Sequence, residues 1–224
     1  MSPEMSESPR VRSAGAPAGA RLNALLAAAG LQPLDAATTA RFEAYLALLL
    51  RWNAKINLTA IRDEDGILAR HFMESIACAG ALPAGIASLL DYGSGAGLPG
   101  IPIALCRPEM EVTLAERQTK KAAFLREAVR VLGIEAKIQE GRAEALVERF
   151  DCVALRAVDR MAEAVGSARA LLREGGWLAV MTTTAELGAV QAAAGEGFRW
   201  DAPASLPGGE NRLLALGNIQ VGCK

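Results

Sequence analysis

The densest chemical signal in this chain is a ten-residue run, Asp91-Tyr92-Gly93-Ser94-Gly95-Ala96-Gly97-Leu98-Pro99-Gly100, set between an apolar stretch and an amphipathic one. Alternating glycines let a backbone turn tightly and approach a ligand more closely than any Cβ permits. Pro99 suits a first helical turn, where its missing N–H is no loss. Glu116 closes the next apolar run about twenty residues on, where a carboxylate accepts hydrogen bonds from ribose hydroxyls. The spacing implies a nucleoside-bearing cofactor. Started at Gly95, the loop also fits G-x-G-x-x-G, so a nicotinamide dinucleotide-dependent oxidoreductase is a competing reading. Asp91 weighs against it: a carboxylate just ahead of the first glycine sits poorly beside a pyrophosphate and suits the cationic amino-acid end of S-adenosylmethionine. A purely structural turn is the remaining alternative.

Arg156 follows the apolar run Val153-Ala154-Leu155. A charge there is costly unless it has a partner or faces a cleft, so it is either a structural ion pair or a group that meets a ligand. His71 is the one histidine and stands one helical turn from Glu74, so the two share a face. A lone histidine is more often a satisfied structural residue than a catalyst. Arg117-Gln118-Thr119-Lys120-Lys121 is a basic cluster with two readings, a solvated helix face or a nucleic-acid phosphate contact. The balance of 24 basic against 25 acidic residues means any nucleic-acid binding must use such a local patch. Cys78, Cys106, Cys152 and Cys223 have neither zinc-ligand nor redox spacing, which leaves buried free thiols. No metal and no cysteine nucleophile are expected.

These residues need a scaffold. A composition 51% hydrophobic but only 4% aromatic points to an aliphatic core. Residues 1–20 read as a disordered tail, residues 21–80 as a helical extension with Leu22, Leu25, Leu26, Phe42, Tyr45, Leu46, Leu49 and Leu50 on three- and four-residue steps, and residues 81–224 as one α/β domain. Within it, strands are expected near Ile86–Tyr92, Val112–Glu116, Ala136–Gln139, Cys152–Ala157, Trp177–Thr182 and, antiparallel, Arg212–Ile219. Helices are expected near Pro99–Cys106, Thr119–Leu132, Met161–Leu172 and Ala185–Ala194. No run of about 18 apolar residues occurs, and the first twenty residues lack a secretory stretch, so a cytoplasmic protein without membrane contact is expected.

The ordered set of motifs resembles the glucose-inhibited division protein B family of bacterial 16S ribosomal RNA guanine-N7 methyltransferases. The loop continued by Ile101-Pro102 matches that family's signature. Trp52-Asn53 with Asn57-Leu58-Thr59, then His71 to Ile76, Glu116-Arg117 with Lys120-Lys121 and Phe124-Leu125, Gly141 to Glu144, and Arg156-Ala157-Val158 follow in the same order. The resemblance implies a Rossmann-like class I methyltransferase, with a mostly parallel seven-stranded sheet flanked by helices and an N-terminal helical extension. It implies S-adenosylmethionine as cofactor, and as partner 16S ribosomal RNA in the small ribosomal subunit, met by a monomer at guanine-527 of the decoding-region loop. It also implies cofactor contacts at Asp91, Gly93, Ser94, Gly95, Gly97, Leu98, Glu116, Ala143, Glu144 and Arg156. It further implies Arg156, His71 and Glu74 as catalytic residues, and Arg70, Arg117, Lys120 and Lys121 as RNA contacts.

Guanine N7 carries a free lone pair, so its methylation needs no general base, and the protein's task is placement in a dry pocket. Two departures from the family pattern stand out. Tyr92 replaces a small aliphatic residue, and Val180-Met181-Thr182 stands where members present a lysine, which removes an expected basic substrate contact. A cofactor-binding protein without catalytic activity is the third reading.

Overall fold

The runs from residue 86 onward are short, apolar on both faces and bounded by glycine, proline or charged turns, which is the pattern of strands covered on both sides by helices. A computed structural model describes residues 15–209 and 211–220. The extension comprises α1 (Ala18–Ala28), α2 (Ala36–Asn53), α3 (Glu64–Gly66), a π-helical segment (Ile67–Phe72) and α4 (Met73–Ala81). Then follow β1 (Ser88–Tyr92), α5 (Gly100–Cys106), β2 (Glu111–Glu116), α6 (Thr119–Leu132), β3 (Ala136–Glu140) and a 3₁₀ turn (Ala143–Ala145). The rest is β4 (Phe150–Arg156), α7 (Met161–Arg169), β5 (Leu172–Thr183), α8 (Leu187–Ala194), β6 (Phe198–Trp200), β7 (Ala204–Ser205) and β8 (Arg212–Ile219).

The main path of the sheet carries seven strands in the order β3-β2-β1-β4-β5-β8-β6, and the two-residue β7 adds an eighth against β8. Strands β1 to β5 are parallel, and β8 runs antiparallel to β5, placing Arg212 opposite Thr183. Strand order reverses between β1 and β4, and ligands of open α/β sheets bind in the crevice at that switch, beyond the carboxyl ends of the strands.

Two apolar layers cover the sheet. One cluster joins Leu22, Leu26, Phe42, Tyr45, Leu49 and Phe72 of the extension to Ile101, Ile103 and Phe124, so the extension packs on the α5–α6 face. The other joins Val165, Ala168 and Val190 of α7 and α8 to Leu90, Val153 and Leu178. Local rules set the helix ends: Asp35 caps α2 by accepting from the Thr38 N–H at 2.9 Å, and Gly133, at φ 58°, closes α6 in the left-handed conformation.

Several expected boundaries are corrected. Helix α1 begins at Ala18, inside the expected tail, whose residues 1–14 lie outside the described ones, as does Cys223. Helix α7 ends at Arg169 rather than near Leu172. Leu172 instead opens β5, which bends at Gly175-Gly176, a pair easily taken for the turn before a strand. Strands β6 and β7 were not expected: at three and two residues they are too short to show alternation. The π-helical segment was also unforeseen, because apolar periodicity runs through it unchanged.

Candidate active site

A cleft of about 900 Å³ opens at the carboxyl ends of β1, β2 and β4, within the size range of nucleoside and cofactor sites. The glycine loop forms its floor. Gly93, Gly95 and Gly97 have φ of 73°, 55° and 82°, the left-handed region that glycine enters freely. Their surroundings differ. Gly93 faces the cleft with only Val158 near, and a Cβ on Gly95 would meet nothing closer than the Gly93 carbonyl oxygen at 3.8 Å. A Cβ on Gly97 would strike the Ile101 side chain and come within 3.1 Å of the Tyr45 hydroxyl. Gly93 and Gly95 thus leave an open cradle, whereas Gly97 is small so that the loop can pack.

Glu116 stands on the wall opposite, its Oε2 accepting from the Gly95 N–H at 2.9 Å and its Oε1 from the Gln118 N–H at 2.7 Å. A carboxylate has about four lone-pair sites, so two remain for a ligand. Glu144, in the 3₁₀ turn, accepts from the Tyr92 hydroxyl at 2.6 Å, which lowers its pKa from the usual value while the Tyr92 hydroxyl is pushed up to about 12, burial first and Glu144 next. Tyr92 therefore has a definite role where an aliphatic residue would have none: it joins β1 to the Ala143-Glu144 wall. Ser94, Leu98 and Ala143 also line this half. An open backbone cradle beside a carboxylate with spare acceptor sites fits a nucleoside cofactor.

Asp91 is placed differently from the expectation. It is buried beneath the loop, not on the cleft wall, and its Oδ2 accepts from the Gly100 N–H at 3.1 Å while Oδ1 has no partner among the described residues. Burial raises its pKa to about 7, against the lowering effect of the Gly100 and Ser94 bonds. Asp91 shapes the loop and starts α5. Gly97 and Lys120 likewise do not line the cleft, whereas Arg117 and Lys121 do.

The other half of the cleft is built on Glu74, which is fully buried. Its Oε2 accepts from Arg156 at 2.9 Å and Arg212 at 3.1 Å, and its Oε1 from Arg70 at 3.3 Å. Arg156 also donates to His71 Nδ1 at 2.8 Å. A guanidinium only donates, so Nδ1 is the acceptor and Nε2 carries the proton, which it donates to Thr59 Oγ1 at 2.6 Å. Burial first, then Arg156, Arg70 and Arg212, hold the His71 pKa down to about 3. Neutral and bonded at both nitrogens, His71 orients Arg156. Glu74 supports the wall from behind and does not line it.

The Trp52-Asn53 segment packs and caps. Asn53 Oδ1 accepts from the Leu58 and Thr59 N–H groups at 2.9 and 3.0 Å, and its Nδ2 donates to the Ile61 carbonyl at 3.1 Å, fixing the stretch that holds Thr59 against His71. Trp52 packs edge-on against Phe124 and donates to Glu127 at 2.9 Å. Sequence reasoning missed Arg212 and Tyr45. Tyr45, from α2, donates to the Ala96 carbonyl at 2.5 Å, tying the extension to the glycine loop.

The sheet order, the glycine cradle and the acceptor carboxylate after β2 together define a Rossmann-like class I methyltransferase fold, and a predicted O-methyltransferase from Agrobacterium tumefaciens has a similar one. The TM-score is 0.54 at 21% identity, over 66% of this chain and 81% of that one. The family model described as rRNA small subunit methyltransferase G matches residues 38–195, and the chain belongs to that family. Among its relatives are the ribosomal RNA small subunit methyltransferases G of Stenotrophomonas maltophilia (strain K279a), 45% identical over 82% of this chain and 88% of the relative, and of Xanthomonas axonopodis pv. citri (strain 306), 46% identical over 67% and 71%.

Proposed function

We propose that the protein transfers the methyl group of S-adenosylmethionine to N7 of a guanine in 16S ribosomal RNA, acting as a cytoplasmic monomer on the small ribosomal subunit. Membership of the family supports S-adenosylmethionine-dependent methylation of ribosomal RNA. The choice of N7 rests on one observation. The two side chains hydrogen-bonded to Arg156 that could take a proton, His71 and Glu74, are both committed to holding guanidinium groups. An acceptor nitrogen with a free lone pair needs neither. Among the described residues no helix is long and apolar enough to cross a membrane, in keeping with the location proposed.

The bound cofactor supplies an electrophilic methyl group. The residues of the chain supply position. Gly93 and Gly95 bring bare backbone to the cofactor, Glu116 takes the ribose hydroxyls, and Ala143-Glu144 with Tyr92 bound the adenine side. Leu98 and Leu58 narrow the cleft against water, and Arg156, held in one orientation, faces the reacting end. Arg117 and Lys121 stand at the rim as RNA contacts. Residues 81–224 form the catalytic domain in this reading, with residues 21–80 as an extension bracing it.

Small subunits lacking the modification are incubated with the protein and methyl-labelled cofactor, and the label is mapped by mass spectrometry of nuclease fragments. Label as 7-methylguanine in the decoding-region loop is expected. Label on another atom overturns the N7 assignment. Stabilisation by a nicotinamide dinucleotide but not by S-adenosylhomocysteine overturns the cofactor.

A further inference from the structure

The arginine half of the cleft holds more positive charge than its own partners neutralise. Three guanidinium groups, from the π-helical segment, the end of β4 and the start of β8, converge on the single carboxylate of Glu74, and His71 beside them is neutral. The described hydrogen bonds engage only one nitrogen of each arginine, and the Nε atoms of Arg156 and Arg212 are buried without a partner among the described residues. Arg156 is locked, with 7% of its side chain exposed; Arg212 and Arg70 show 20% and 41% and both border the cleft. The turn before β8 is shaped for this meeting. A Cβ on Gly208 would run into the Ala69 carbonyl oxygen, and one on Gly209 would crowd Arg212 at 3.2 Å and touch Arg70 at 3.8 Å. Bare backbone there lets the hairpin close on the π-helical segment and bring the two arginines side by side.

Paired guanidinium forks with free N–H groups match the oxygens of a phosphodiester. We propose that Arg70 and Arg212, held on Glu74, form a seat for one RNA backbone phosphate next to the nucleotide that enters the cleft, with Glu74 as the positioning residue that aims both forks. This rests on the reading of the protein as an RNA methyltransferase. It adds a site at which the strand is clamped before the base is presented. Contacts to phosphate position a nucleic acid and read no sequence, so the seat sets register and leaves base choice to the rest of the cleft.

The test uses the full chain and an RNA fragment of the small-subunit loop. For Arg212→Ala and Arg70→Ala, RNA affinity is measured across a range of salt, S-adenosylhomocysteine affinity by calorimetry, and KM and kcat on small subunits. Each variant is expected to bind RNA at least ten-fold more weakly, to lose about one unit from the slope of log affinity against log salt, and to raise KM far more than it lowers kcat. Cofactor affinity is expected to stay within about two-fold of the wild-type value. Arg212→Gln, which keeps an N–H for Glu74, gives the same loss of slope if the alanine variant melts early. An unchanged salt slope in both arginine variants overturns the seat. So does a parallel loss of cofactor affinity, which would assign the arginines to the cofactor's carboxylate. If the wild-type protein methylates no ribosomal RNA, the functional reading fails while the seat is judged separately. In that event inorganic phosphate is expected to raise the melting temperature of the wild type and not of the arginine variants, and equal shifts in all of them overturn it.

Discussion

The two halves of the cleft are built by opposite means. The nucleoside half, Gly93 to Leu98 with Glu116 and Glu144, presents bare backbone and carboxylates, and its parts each follow a strand within a few residues. The arginine half presents side-chain cations on a buried acid, gathered from four separated stretches around Thr59, Arg70 to Glu74, Arg156 and Arg212. Backbone geometry fixes the first, and its failure mode is a side chain that intrudes. Charge balance fixes the second, and its failure mode is a partner that goes missing. The difference teaches where each half is vulnerable.

The largest expected effect separates them by removing one carboxylate from each. In Glu74→Ala three guanidinium groups lose their common partner at a fully buried position, and breaking such a set costs about 3–5 kcal/mol. In Glu116→Ala two backbone N–H groups at the cleft wall turn to water or ligand, at about 1–2 kcal/mol. Urea unfolding checks the order of the two, and calorimetry checks the complementary result: Glu116→Ala, although the more stable of the pair, loses more affinity for S-adenosylhomocysteine. Equal stabilities would mean that the arginines are held by something other than Glu74.

This contrast also explains what could be read from the chain alone. The Asp91–Gly100 loop, Glu116, the strands that end at them and β8 from Arg212 to Ile219 are local patterns, and local patterns survive in one dimension. The position of Asp91 under the loop did not, since a carboxylate before a glycine run looks the same whether it points at a ligand or at the Gly100 N–H. Arg212 was illegible for a stronger reason: its place beside Glu74, 138 residues away, exists only because β8 runs back along β5 with Arg212 opposite Thr183. The one trace it leaves is a charge at the head of the apolar run Leu213 to Leu216. That pairing puts a cation next to the end of β5, so the charge thought to be missing around Met181 is present one strand over.

A smaller effect distinguishes the two buried titrating groups, one under each half. The Asp91 pKa is raised from 3.8 to about 7, so its contribution to stability is full below pH 3.8 and is lost as pH rises through about 7. The His71 pKa is lowered from 6.5 to about 3, so its contribution is full above pH 6.5 and is lost as pH falls toward 3. Between about pH 4 and 6.5 the two slopes oppose each other. Asp91→Asn removes one of them, and its stability relative to wild type is expected to climb with pH across this window by up to about 1.4 kcal/mol per unit. Thermal melts at four or five pH values measure that difference, and a flat one would mean that Asp91 is ionised in the folded protein.

The smallest effect tests a tie that runs from the extension to the nucleoside half. Tyr45 is buried, its ring stacked on Phe72 at 5.0 Å, and its hydroxyl donates to the Ala96 carbonyl in the middle of the glycine loop. Tyr45→Phe keeps the ring and its packing and removes only the hydroxyl, leaving a buried carbonyl without its donor, at a cost near 1 kcal/mol. If the hydroxyl does no more than satisfy that carbonyl, the variant melts slightly earlier and binds cofactor as before. If it holds the loop in the shape that the cofactor needs, S-adenosylhomocysteine affinity falls several-fold while RNA affinity in the absence of cofactor is unchanged, because the arginine half does not touch Ala96. The second result is expected, since Gly95 and Gly97 on either side of Ala96 both have φ in the left-handed region and contribute no side chain to lock that part of the loop.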